Sequence, residues 1–146
     1  MKLLIISFVL AFSVFSQNTL ANETKVAPVV LKSFEQQFAS AKEVDWTVSS
    51  NFYKAHFVMN DQHITAFYDN DGTLLALTRN ITSVQLPVTL QAELKKNYEQ
   101  FWISELFEMN TESGTEYYVT LENADVKVVL KSTSHSTWSN FQKTKK

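Results

Sequence analysis

Apolar and polar residues alternate through much of this chain, and the alternation breaks twice. Val44, Trp46 and Val48 alternate with Asp45 and Thr47. The same period of two runs through "FYKAHFVM", "HITAFYD" and "TLLALTR". It resumes in "WISELFEM", "EYYVTLE", "VKVVLK" and a last segment near "STWSNF". These runs predict β-strands. The two breaks are "PVVLKSFEQQF" from Pro28 and "PVTLQAELKKNY" from Pro87, where the period becomes helical. Val30, Leu31, Phe34 and Phe38 form one apolar stripe, and Leu90, Leu94 and Tyr98 form the other. Proline near a helix start costs little because its missing N–H would have no partner there. The order is helix and four strands, then the same again, with an offset of roughly 60 residues. The predicted fold is α+β: two tandem helix–antiparallel-strand repeats, about 28–80 and 87–141, forming one sheet with the helices on one face.

Turn chemistry suggests how the strands pair. With Asn60-Asp61 as a two-residue turn, Phe57 faces Ile64, Ala55 faces Ala66 and Tyr53 faces Tyr68. With Asn123-Ala124 as the second turn, Leu121 faces Val126, Val119 faces Val128 and Tyr117 faces Leu130. One side of each hairpin is then almost wholly apolar and belongs under the helices. The other side carries Lys54, His56, Val58, His63, Thr65 and Phe67, and in the second hairpin Glu116, Tyr118, Thr120, Lys127, Val129 and Lys131. Acidic residues are expected in turns, on helix exteriors or on this outer side. Trp46 shares the parity of Val44 and Val48 and is expected in the core. Trp138 is expected near an exposed edge strand.

The first residues change the setting. Lys2, the apolar run Leu3–Phe15, and small residues at Thr19 and Ala21 read as a secretory signal peptide over residues 1–21, leaving a domain from 22 to 146. The apolar run is shorter than the ~18 residues a membrane span needs. The chain has 146 residues and no cysteine, so its stability cannot rest on disulfides. Loss of Lys2 leaves 12 Lys and Arg against 15 Asp and Glu, a net charge of −3. That balance offers no basic surface for nucleic acid. A periplasmic or secreted bacterial location is expected.

Candidate chemistry is sparse. Asp69, Asp71 and Gly72 resemble the start of a calcium loop. An EF-hand loop with Gly72 sixth would begin at Phe67 and end at Thr78, and neither supplies a carboxylate. The same residues make a hairpin corner. His56 and His63 fall diagonally on the outer side, but a zinc site needs further ligands that no motif places. No carboxylate reads as buried in an apolar pocket, as acid–base catalysis of the isomerase type requires. "SVQLPVT" lacks the glycine of a cystatin hairpin. Asn80-Ile81-Thr82 matches a glycosylation sequon, which carries little meaning in a bacterial protein. Phe67 and Tyr118 stand out, because aromatics on an uncovered sheet face are suited to binding.

Phe38, Ala41, Val44 and Trp46, then Tyr53, Ala55 and Phe57, then Ala66, Tyr68, Asp69 and Gly72 follow a recurring pattern. It resembles the exported β-lactamase-inhibitor-like, or PepSY-like, domains. The likeness covers most of the chain after the signal peptide, clear in the first half and degenerate in the second. There Leu86-Pro87, Tyr98, Ile103 and Tyr118 remain, but the Trp and the Asp-x-x-Gly corner are missing. The resemblance implies a continuous concave sheet and, in the namesake inhibitor, docking on an enzyme. The expectation is therefore an exported, non-catalytic binding module with a protein or peptide partner and no cofactor. Candidate contacts are Phe67, Tyr118, His56, His63 and Lys54. The alternative is a small-molecule or metal-binding protein using His56 and His63.

Overall fold

The structure, a computed structural model, describes residues 25–146; the expected signal peptide lies outside the described residues. Helix α1 (Pro28–Gln37) leads into β1 (Lys42–Val48), β2 (Tyr53–Met59), β3 (Gln62–Tyr68) and β4 (Leu74–Asn80). A short 3₁₀ turn (Ser83–Gln85) and α2 (Val88–Asn97) follow, then β5 (Trp102–Thr111), β6 (Gly114–Glu122), β7 (Val126–Ser132) and β8 (Ser139–Lys145). All eight strands form one antiparallel sheet in chain order.

Both helices lie on one face. Val30, Phe34 and Phe38 of the α1 segment pack on Ala55, Phe57, Ala66 and Tyr68. Leu90 and Leu94 of α2 pack on Leu106, Val119, Leu121 and Leu130. Strand register puts both sets on the same side of the sheet. Leu31, expected in the first stripe, is exposed at its border. Trp46 packs edge-on against Phe34, as expected of a core residue. Tyr68 is fully buried and donates its hydroxyl hydrogen to Gln37 Oε1 at 3.0 Å. Burial pushes its pKa up to about 12, which keeps that donor protonated.

The first hairpin has the expected register. Asn60 and Asp61 both take positive φ, at 52° and 59°, and Tyr53, Ala55 and Phe57 face Tyr68, Ala66 and Ile64. The second does not. Its turn lies one residue later, so Leu121 faces Val128 and Val119 faces Leu130. Asn123 causes the shift. Its Oδ1 accepts the N–H groups of Asp125 and Val126, and its own N–H donates to the Val126 carbonyl. The register moves by two positions, so each side chain keeps its expected face.

The "DNDG" stretch is a corner. Asp69 Oδ1 accepts the N–H groups of Asp71 and Thr73 at 2.9 and 2.8 Å. Gly72 sits at φ +81°, and a Cβ there would lie 3.0 Å from the Val29 carbonyl oxygen. The glycine thus lets the hairpin tip press against the start of α1. Trp138 lies next to the exposed edge strand β8, as expected, but is not itself exposed. It lies half-buried under α2, donating its backbone N–H to Glu93 and its indole N–H to the Leu90 carbonyl.

Candidate functional site

No described element covers the second face of the sheet. Its rows can be read across the strands. One runs Asp45, His56, Thr65, Thr78, Met109 and Glu116. Another runs Thr47, Lys54, Phe67, Ala76 and Thr111. A third runs Val58 and His63 on one side, and Phe107, Tyr118 and Lys131 on the other. All five candidates named from the sequence therefore share this face. They do not form one cluster.

His56 and His63 stand together near its first end. Their rings are parallel with centroids 5.6 Å apart, and His56 Nδ1 lies 3.1 Å from the Thr65 hydroxyl. Among the described residues no three His, Asp or Glu side chains are grouped to hold a metal ion. Phe67 is half-buried with Phe52 at 6.0 Å, and Lys54 lies directly across from it.

Tyr118 corrects the expectation of an accessible aromatic, because only 4% of it is exposed. Phe107 stacks on it at 5.0 Å, Phe141 meets it edge-on at 5.5 Å, and Lys131 Nζ lies 5.3 Å above the ring. Its hydroxyl donates to Glu116 Oε2 at 2.9 Å, the same oxygen that Lys131 reaches at 2.9 Å. Tyr118 is the centre of a small aromatic layer on this face. Among the described residues, Phe141 and Trp102, with 42% and 53% exposure, are large apolar side chains that this face presents to solvent.

One acid contradicts the expectation that carboxylates stay in turns and on outer surfaces, and a second lies where expected but half-buried. Glu108 lies on the helix side, in the row Ile64, Arg79, Glu108 and Tyr117, between the two apolar clusters. Arg79 clamps it with two hydrogen bonds of 3.1 and 3.2 Å, and Asn110 adds one at 2.9 Å. Burial works to raise the Glu108 pKa, but the hydrogen bonds from Arg79 and Asn110 prevail and hold it below the usual range. A lowered folded pKa adds stability above the unfolded value of ~4.3, and that stability is lost as pH falls through the folded value. Glu108→Gln should flatten the loss of urea stability between about pH 5 and pH 3. An acid profile identical to that of the unsubstituted protein would remove Glu108 from this role.

The second acid is Glu105, half-buried on the helix-free face. Burial raises its pKa, and the charge of Lys127 works the other way. It shares the parity of Phe107 and Met109, and a bulge between Ile103 and Glu105 reverses the parity of the residues before it. Beside α2, a groove of about 570 Å³ is lined by Val88, Ala92, Leu94, Tyr98, Phe101 and Ile103.

The fold is shared with several solved structures. A DUF2874 family protein from Bacteroides uniformis is 13% identical, covers 83% of this chain and 90% of its own, and superposes with a TM-score of 0.73. A BLIP-like protein from Bacteroides fragilis is 14% identical, with 85% and 89% coverage and a TM-score of 0.72. A proposed periplasmic protein from Bacteroides eggerthii is 11% identical, with 83% and 89% coverage and a TM-score of 0.73. No family model and no curated protein matches the chain. At these identities the likeness shows the fold, and the fold is BLIP-like. Among the described residues no helix is long and apolar enough to cross a membrane.

Proposed function

We propose that this chain is an exported, non-catalytic binding module that meets a protein or peptide through the helix-free face of its sheet. One observation carries the reading: among the described residues the eight-stranded sheet has a helical layer on one side only, while the other side holds half-buried Phe67 and Met109 near its middle, and exposed Phe141 and Trp102, among polar residues. Such a face offers apolar area at its centre with polar groups around it, which is the composition of protein interfaces. In this reading residues 1–21 are a cleaved signal peptide, and 22–146 form a PepSY-like domain of two tandem repeats. The protein acts in the periplasm or after secretion, needs no cofactor and contacts no nucleic acid. Inhibition or regulation of an enzyme is the narrower form, supported by the likeness to a BLIP-like protein.

The stacked His56–His63 pair favours one alternative, a metal or small molecule held by the two imidazoles. Calorimetry with zinc separates the readings: a stoichiometric heat lost in His63→Ala would favour the alternative. For the main reading, a photo-crosslinking residue at Thr65 should trap a partner protein, and one at Lys32 on the outer side of α1 should not.

A further inference from the structure

Three glutamates stand on the helix-free face of the β5–β6 ladder, and two of them are paired. Glu116 holds Lys131 at 2.9 Å and the Tyr118 hydroxyl at 2.9 Å. Glu122 holds Lys146 at 2.7 Å and Lys127 at 3.9 Å. Glu105 is different. Among the described residues it has no hydrogen bond and no cation within 4.0 Å; it feels only the more distant charge of Lys127, which is itself engaged with Glu122. A carboxylate taken partly out of water without a donor is a standing cost to the fold.

The backbone is shaped to bring an aromatic ring beside that carboxylate. Trp102 pairs with Glu122, Ile103 with Leu121 and Glu105 with Thr120, so Ser104 is the extra residue of a β-bulge. In a regular strand Trp102 and Glu105, three positions apart, would point to opposite faces. Glu105 keeps the face of Phe107 and Met109, and the bulge brings Trp102 onto that same face, one row away. Bulges often serve to re-aim a side chain beside a functional site. The indole already engages a cation: Lys146 Nζ lies 4.9 Å from its ring centroid, yet 53% of Trp102 remains exposed.

We propose that the Trp102–Glu105 corner is an anchoring subsite for a basic side chain of a partner protein, an arginine or lysine on an extended loop. The partner's cation would give Glu105 the hydrogen-bond donors it lacks, and the indole would pack on the cation's stem or plane. Charge complementarity selects this occupant, since Glu105 is the one carboxylate of this ladder face without a cation of its own. The inference rests on the open-face reading and narrows it to one chemistry.

The probe is a library of random peptides, selected on the immobilised protein purified from the cell that makes it. Enriched peptides should carry Arg or Lys and bind Glu105→Gln at least about tenfold more weakly. Trp102→Ala should lose a similar factor. Glu105→Gln keeps the side-chain size and removes a half-buried charge, so its thermal midpoint should not fall. Enriched peptides without basic residues, equal binding to Glu105→Gln, or no enrichment would each overturn the assignment. Hydrogen exchange separates the two claims. Peptides that ignore Glu105 but protect amides around Thr65 and Thr78 would leave the open-face reading standing. Protection confined to α1 and α2 would overturn both.

Discussion

Phe57→Ala should cost about 4 kcal/mol of folding stability, within the ~3–5 kcal/mol range for a buried Phe. Phe57 is fully buried. Its ring meets Phe34 edge-on at 5.1 Å and Phe38 at 4.9 Å, and Phe34 in turn contacts Trp46 and Tyr68. Removing the ring deletes the partner on which α1 rests and leaves a cavity that the flanking Ala55 and Ala66 are too small to fill. Because α1 is a single ten-residue helix, it has little stability apart from this packing. Urea unfolding measured by tryptophan fluorescence reads the loss directly. A cost below about 1.5 kcal/mol would mean that α1 does not depend on this ring.

Tyr118→Ala should cost about 3 kcal/mol even though Tyr118 lies on the helix-free face. The substitution removes the ring that Phe107 stacks on and Phe141 abuts, and it uncovers both. It also leaves Glu116 with Lys131 alone. Tyr118→Phe separates the two effects: it keeps the ring and should cost about 1 kcal/mol for the hydrogen bond to Glu116. If Tyr118→Ala were as stable as the unsubstituted protein, the aromatic layer would carry no weight in the fold. Loss of a partner in Tyr118→Ala would reflect the damaged sheet as much as a lost contact, which makes it a poor probe of binding.

The sequence revealed as much of this molecule as regular periodicity could carry. Period-two alternation assigned each strand residue of the first hairpin to its face, and Asn60-Asp61 set the register because both residues tolerate positive φ. The two helical stripes placed Phe34 and Leu90 in the core. The failures come from local irregularity. Asn123 bonds the next turn of backbone through its side chain and moves the β6–β7 register by two. Ser104 is an extra residue that reverses parity, so Trp102 and Ile103 could not be placed by continuing the alternation of β5. Phe141 is the extra residue of a second bulge, between Val129 and Leu130 in the β7–β8 ladder, and that position lets it cover Tyr118. Arg79 and Glu108 occupy inward positions that a polar-out reading of strands assigns to solvent. Their mutual pairing, which makes that position tolerable, depends on the β4–β5 register and no local motif encodes it.

The central claim is that the helix-free face is the binding surface. Its most direct test places a benzoylphenylalanine at one position at a time, at Thr65 and Thr78 on that face and at Lys32 and Glu35 on α1, in the cell that makes the protein. Irradiation should link the same partner to Thr65 and Thr78 and leave Lys32 and Glu35 unlinked. Thr65→Arg should suppress the link at Thr78 without loss of folded protein. Links formed from Lys32 or Glu35, with none from the sheet face, would place the binding surface on the helices instead.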